Sequence, residues 1–394
     1  MSIAKYFRYG CPTVWAIGLL AVLFCAGFAP CSVYAQGTGY IEDPVDDAQR
    51  QSKPKVSTMF RVGSFGPGEQ DVFDKYYENY ALARWSRWSD PDNRHLLTDY
   101  RRDLATDLLR AKSGTVHDHL RDLALRRLTT MATQNYHPAA RVNAMLMIGE
   151  LNQVEAVRSS DTPVPYAVAL QTVLLPAVSA TTQPDAVKVA ALVGILRHAT
   201  LGATMPPTVQ TEMIKLVTSK TPPGPAADGR DWMRVQAVRV LGVMGSPGAN
   251  GAVSNAIATM MADSQLRLSA RCIAAQALGQ LRYGSTGWAN AGAAVELLRQ
   301  LVIEACDKEK SGVLRRRLAS HLLNIATGLS GDPEDTSRNG IGPLAAGGNG
   351  PQLVAGLKAS LAALEGILRD ESLDALTLTG RVGQEAAKIR ALAP

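Results

Sequence analysis

The sequence predicts an all-α protein: an α-solenoid of about five helical hairpins with helical caps at both ends. Three observations carry this. From Asp71 onward almost every apolar stretch has helical spacing. Runs of alternating β-branched residues bounded by turn signals are absent. One pattern also returns along the chain: a basic residue, alanine three places on, an aliphatic at plus seven and glycine at plus eight. With 394 residues the chain has room for two or three domains or one long array, and the repetition favours the array.

The N-terminus is read first as a leader, residues 1–35. Lys5 and Arg8 form a basic start, residues 13–29 are uncharged and apolar, and Ser32-Val-Tyr-Ala35 offers small residues for processing. This is a secretory signal pattern with cleavage expected between Ala35 and Gln36, so the protein is expected to be exported, periplasmic or secreted. The competing reading is an uncleaved anchor, although a membrane helix needs ~20 apolar residues. Contact with a membrane is expected only in that case. Cys11, Cys25 and Cys31 lie in the leader, leaving Cys272 and Cys306. Two cysteines make no disulfide framework for a chain this long, and two buried free thiols are expected, with one bridge as the alternative. Removing Lys5 and Arg8 lowers the formal charge from +6 to +4. That balance gives no reason to expect nucleic acid as a partner. No cofactor or metal is expected.

Residues 36–70 are rich in Gly, Pro, Asp, Gln and Ser and read as a disordered linker. Residues 71–112 read as an aromatic-rich helical cap, with Phe73, Tyr76, Tyr77, Tyr80, Trp85, Trp88 and Tyr100 crowded together. Packing against the first hairpin explains these rings, since an array needs a cap. The alternative is a platform for cell-wall glycans, because Tyr and Trp offer flat amphipathic faces. Exposure of Trp85 and Trp88 decides between the two.

Residues 113–329 form the predicted array. The basic anchors are Arg141, Lys188, Arg234, Arg271 and Arg315, spaced by 47, 46, 37 and 44 residues. Alanine follows at Ala144, Ala191, Ala237 and Ala274, and the glycines are Gly149, Gly242 and Gly279. A partner helix precedes each anchor, at 116–133, 164–180, 208–219, 250–262 and 291–307, each closed by a break such as Thr221-Pro-Pro-Gly-Pro225. The stretch DWMRVQAVRVLGVMG, residues 231–245, shows why such helices stack. It is apolar over most of its circumference and must be covered by several neighbours, while Ala and Gly permit close approach. Residues 330–350 hold six glycines and two prolines and read as a long mobile surface loop. Residues 351–394 close the chain as a C-terminal helical cap.

These residues resemble a HEAT repeat of the PBS-lyase HEAT-like subgroup. The likeness rests on Asp231 with Arg234, Ala237 and Leu241-Gly242; on Asp185 with Val187-Lys188 and Ala191; and on Arg271 with Ala274 and Ala277-Leu278-Gly279. It covers about half of the chain, and the aspartate is missing from the first, fourth and fifth copies. The resemblance implies that Arg234 and its equivalents pair with acidic groups or helix ends as scaffold residues. It also implies that the second helices line a concave side. Carrying the outward strip of residues 231–245 to each copy gives the candidate partner-binding residues: Asn143, Glu150, Arg197, Gln236, Arg239, Gln276, Gln280, Arg317 and Asn324. A mixed polar surface with few carboxylates suits a protein or peptide partner better than a metal or polyphosphate.

No nucleophile–base pair or ligand cluster stands out, so no enzyme activity is expected. His117-Asp-His119 reads as a solvated helix start, because residues two apart diverge by about 200° on a helix. Gly-rich Ala346-Gly-Gly-Asn-Gly350 lacks the lysine of a phosphate loop. Glu371-Ser372 resembles the catalytic dipeptide of exported transglycosylases, but the following Leu-Asp-Ala-Leu lacks their pattern.

Overall fold

A computed structural model describes residues 39–112, 114–158, 160–220, 224, 227–284, 287–309, 315–332 and 335–392. The leader, with its Ala35–Gln36 junction, lies outside the described residues. Helices make up nearly all the regular structure. Among the described residues one small antiparallel ladder pairs Asn152 with Pro165 and Val154 with Val164. The second hairpin's first helix was expected from Val164 but begins at Ala167. Pro165 explains the delay, since it lacks an N–H and pushes the residue before it towards extended backbone.

The N-terminal cap starts earlier than predicted, and the disordered linker is corrected. Helix α1, Lys53–Val62, follows a short 3₁₀ turn at Asp47–Ser52. It buries Val56, Met59 and Phe60, an i, i+3, i+4 stripe hidden in polar composition. Upstream, Asp43 takes the Tyr136 hydroxyl at 2.8 Å and the Arg127 guanidinium at 3.1 Å. Helix α2, Glu69–Tyr76, runs into a π turn at Tyr77–Ala81 and a 3₁₀ turn at Ala83–Ser86. Helix α3, Leu97–Ala111, completes the cap. Phe73 meets Phe60 and Phe65 edge-on at 5.8 and 5.2 Å, and Tyr76, Tyr77 and Trp85 are buried beside it.

Five helix pairs follow. The first is α4, Thr115–Thr133, with α5, Pro138–Glu150. The second is α6, residues 167–179, with α7, Asp185–Thr200. A π turn at Leu170–Leu174 widens α6 just before Pro176, whose ring would otherwise meet the carbonyl of Thr172. Then come α8, Pro207–Thr218, with α9, Ala227–Met244, and α10, Ala252–Ala262, with α11, Leu268–Gly279. The last pair is α12, Ala291–Glu309, with α13, Arg315–Ser330. Helices α14, Gly350–Arg369, and α15, Ala375–Ala391, end the chain.

Within each pair the two helices touch, and the second helices also touch in chain order: α5 with α7, α7 with α9, α9 with α11, and α11 with α13. Glycine permits this. A Cβ on Gly149 would stand 2.6 Å from the Gly194 Cα, and one on Gly279 would stand 2.0 Å from the Thr327 carbonyl oxygen. No side chain fits there, so the backbones themselves are in contact.

The loop at residues 330–350 is more anchored than its composition suggests. Ile341 is fully buried and donates its N–H to the Gly328 carbonyl at 3.1 Å, while Asp332 N–H reaches the Arg338 carbonyl at 2.9 Å. Ile341, with Ala345 buried and Leu344 packed beside it, supplies the apolar contact that holds the segment down. Cys272 and Cys306 are free and buried, and burial pushes both thiols up to about 12.

Candidate interaction surface

The basic anchors sit at the joints of the helix pairs. Arg141 Nε donates to the Ala132 carbonyl at 3.1 Å, Arg234 Nε to Val217 at 3.2 Å, and Arg271 Nε to Met261 at 2.8 Å. Each acceptor is the penultimate residue of the first helix in that pair, where carbonyls lack intrahelical partners. The outer nitrogens then reach forward: Arg141 to Gln183, Arg234 to Asp263 at 2.8 Å, and Arg271 to Glu304 at 2.6 Å. Lys188 is buried, and desolvation lowers its pKa. Arg315 departs from the pattern and donates to the Asp370 carbonyl at the end of α14.

The candidate strip lies along the second helices, and its members fare differently. Asn143 and Glu150 on α5 are half-buried beneath α3, whose Arg101 donates to Asn143 Oδ1 at 3.3 Å and approaches Glu150 at 3.6 Å. Burial raises the Glu150 pKa. Arg197 on α7 turns back to donate to the Gly149 carbonyl at 3.2 Å and to Asn152 Oδ1 at 2.6 Å. Gln236 is a correction: it is 3% exposed, because α7 and α11 flank α9 closely enough to narrow the open strip. Arg239 remains half-exposed and makes no hydrogen bond or ion pair among the described residues. Gln276, Gln280 and Asn324 are half-exposed, and exposed Arg317 stands 3.6 Å from Glu309. Val193 on α7 adds an exposed apolar contact.

The middle of the strip, Val193, Arg239, Gln276 and Gln280, is thus the open part. It is a ridge rather than a cleft. It can offer amide and guanidinium hydrogen bonds and apolar contact to a peptide-like ligand.

The histidine pair is the second correction. His117 is fully buried with Nε2 3.3 Å from Glu155, and His119 Nε2 meets Asp74 Oδ1 at 2.5 Å. The divergence expected from helical geometry holds, but the rings are packed, since the cap and the 152–165 ladder cover the start of α4. Among the described residues no group of three or more His, Cys, Asp or Glu could hold a metal ion. Trp85 is 2% exposed, and Trp88 stacks on His137 at 3.4 Å with the Arg94 guanidinium 5.2 Å from its ring. Neither tryptophan keeps a free face for stacking sugars.

Two features escaped sequence reading. An apolar groove of about 530 Å³ runs between α13 and α14, lined by Leu322, Leu323 and Ala326 facing Leu361 and Ala362. A smaller polar cleft lies in the N-terminal cap. The i, i+4 carboxylates Asp103 and Asp107 beside Tyr100 were the available signal for that cleft.

No protein-family model, curated protein or solved structure matches this chain. No helix of the described residues is long and apolar enough to cross a membrane.

Proposed function

We propose that the chain is an exported α-solenoid of about five HEAT-like hairpins, acting as a scaffold that binds a partner protein through its second helices. The observation that carries this reading is the serial contact of α5, α7, α9, α11 and α13, with a strip left open along them. The recurring arginine-to-carbonyl bond at three of the joints supports a repeated unit. Each unit buries its face on its neighbours, so the stack is stabilised in series and leaves one long side for recognition. The partner is an extended or helical peptide segment, held by apolar contact at Val193 and by hydrogen bonds from Gln276 and Gln280. Arg239, without a partner among the described residues, supplies a charge-assisted bond to a carboxylate of that segment. Export follows from the leader pattern and places this binding outside the cytoplasm.

A photo-crosslinking residue placed at Gln276, and separately at exposed Thr211 on the first helix α8, tests the proposal. Covalent capture of one discrete partner from Gln276 but not from Thr211 is expected. Equal capture from both positions, or none from Gln276, refutes the assignment of this face.

A further inference from the structure

The groove of about 530 Å³ between α13 and α14 lies apart from the proposed partner ridge, since none of Val193, Arg239, Gln276 and Gln280 lines it. The two helices run antiparallel. Arg315 at the start of α13 donates to the Asp370 carbonyl just past the end of α14, and Gly342 packs against both Leu329 and Val354. Lining positions recur at steps of three and four along each helix, so one face of each forms a wall. Ala319, Ala326 and Ala362 stand where larger side chains would meet across the gap, and their small size keeps it open. From Ala319 to Ser330 the trough runs for about 16 Å. Leu323 is left 66% exposed on its lip.

The polar groups lie towards the ends. Ser330 and Lys358 mark one end, and Arg369 marks the other. Glu365 is turned to Arg369 at 2.6 Å, so those two charges cancel. Lys358 makes no hydrogen bond or ion pair among the described residues, and Glu365 is two turns away, about 10 Å along the axis. Each end of the trough combines one helix start with one helix finish, so the helix dipoles offset each other there and Lys358 sets the sign of the charge. Between the ends, Leu322, Leu323, Ala326, Leu361 and Ala362 offer no hydrogen-bonding side chain.

We infer that this groove binds one free fatty acid, its carboxylate on the Lys358 ammonium and its alkyl chain along the leucine and alanine walls towards Arg369. The Ser330 hydroxyl is a further donor to the carboxylate. An extended peptide in the trough would leave backbone N–H and C=O groups against apolar walls, whereas an alkyl chain has none to satisfy. A cationic amphiphile would set its head against Lys358. The volume falls in the ordinary range of small-molecule sites, roughly 300–1,000 Å³.

Isothermal titration of the exported chain with laurate and myristate, below their micelle thresholds, tests this, with dodecyltrimethylammonium as the cationic control. Saturable binding of one fatty acid per chain is expected. Lys358→Glu weakens it at least tenfold and strengthens binding of the cation. Ala362→Trp, which fills the trough from an exposed position, also weakens fatty-acid binding at least tenfold, and both variants keep the wild-type melting temperature. Failure to bind either fatty acid, equal affinity for dodecyltrimethylammonium, or binding that survives Ala362→Trp overturns the assignment. So does light scattering that shows a dimer dissolved by Ala362→Trp, because a second copy would then cover the groove.

Discussion

Alanine in place of Gly279 tests how closely the second helices approach. The new Cβ would lie 2.0 Å from the Thr327 carbonyl oxygen and 2.7 Å from the Gly328 Cα. Both neighbours are backbone, so no side chain can swing aside. A relaxed carbon–oxygen contact is about 3.3–3.6 Å, which requires α11 and α13 to part locally by more than ~1 Å. Overpacking of this kind costs about 1–3 kcal/mol where side chains can adjust, and the upper end applies when only backbone can move. About 3 kcal/mol in a chain of this size lowers the melting temperature by roughly 4 °C. The matched control is Gly366 on the exposed face of α14, where a Cβ would meet nothing within 4 Å. Gly366→Ala gains about 0.5–1 kcal/mol through helix propensity and a less flexible unfolded chain. Thermal and urea unfolding followed by circular dichroism reads both variants. Wild-type stability in Gly279→Ala would refute the backbone contact between α11 and α13.

Other substitutions address the joints, the pH response and the thiols. Arg271→Met leaves the Met261 carbonyl without its side-chain donor and Glu304 with Lys308 alone, and lowers stability by about 1–3 kcal/mol, whereas Arg267→Met breaks only an exposed pair with Asp228 and changes it by less than ~0.5 kcal/mol; urea midpoints separate them. His198 is fully buried with both ring nitrogens unbonded, and burial, then Arg197, lowers its pKa from 6.5 to about 4. Its folded pKa lies below its unfolded one, so the unfolded chain binds the proton first and stability falls as pH drops from about 6.5 to about 4. The loss over that window is of the order of 3 kcal/mol, and His198→Leu flattens that part of a pH-stability curve. Cys272 and Cys306, both pushed up to about 12, should resist a thiol reagent in the native protein and react only at the rate of unfolding.

The sequence made the helix pairs legible because each carries its own apolar period and its own proline or glycine break. Alanine at plus three and glycine at plus eight announced close packing before any neighbour was known. What escaped was decided by contacts distant in the chain. Val56, Met59 and Phe60 are three apolar residues in a polar stretch, and their docking depends on an α3 more than 35 positions away. Asp43 is secured by Tyr136, 93 residues on. Gln236 sits at an outward helical position, but two flanking helices decide how wide the outward strip is. His117 looked solvated because nothing local to it reveals Glu155. The cap cleft was least legible of all, since its walls come from four segments whose meeting depends on the π turn at Tyr77–Ala81.

Distances between spin labels along the second helices test the serial stack most directly. Cysteines at Val193, Arg239, Gln276 and Asn324 place one label on each of α7, α9, α11 and α13, with Cys11, Cys25 and Cys31 replaced by serine and with Cys272 and Cys306 buried away from the reagent. Packed helices lie about 8–10 Å apart, so labels two helices apart should read roughly 20 Å and labels three apart roughly 30 Å. Distances that rise in that order support the stack. A 193–324 separation no longer than 193–276 would contradict it.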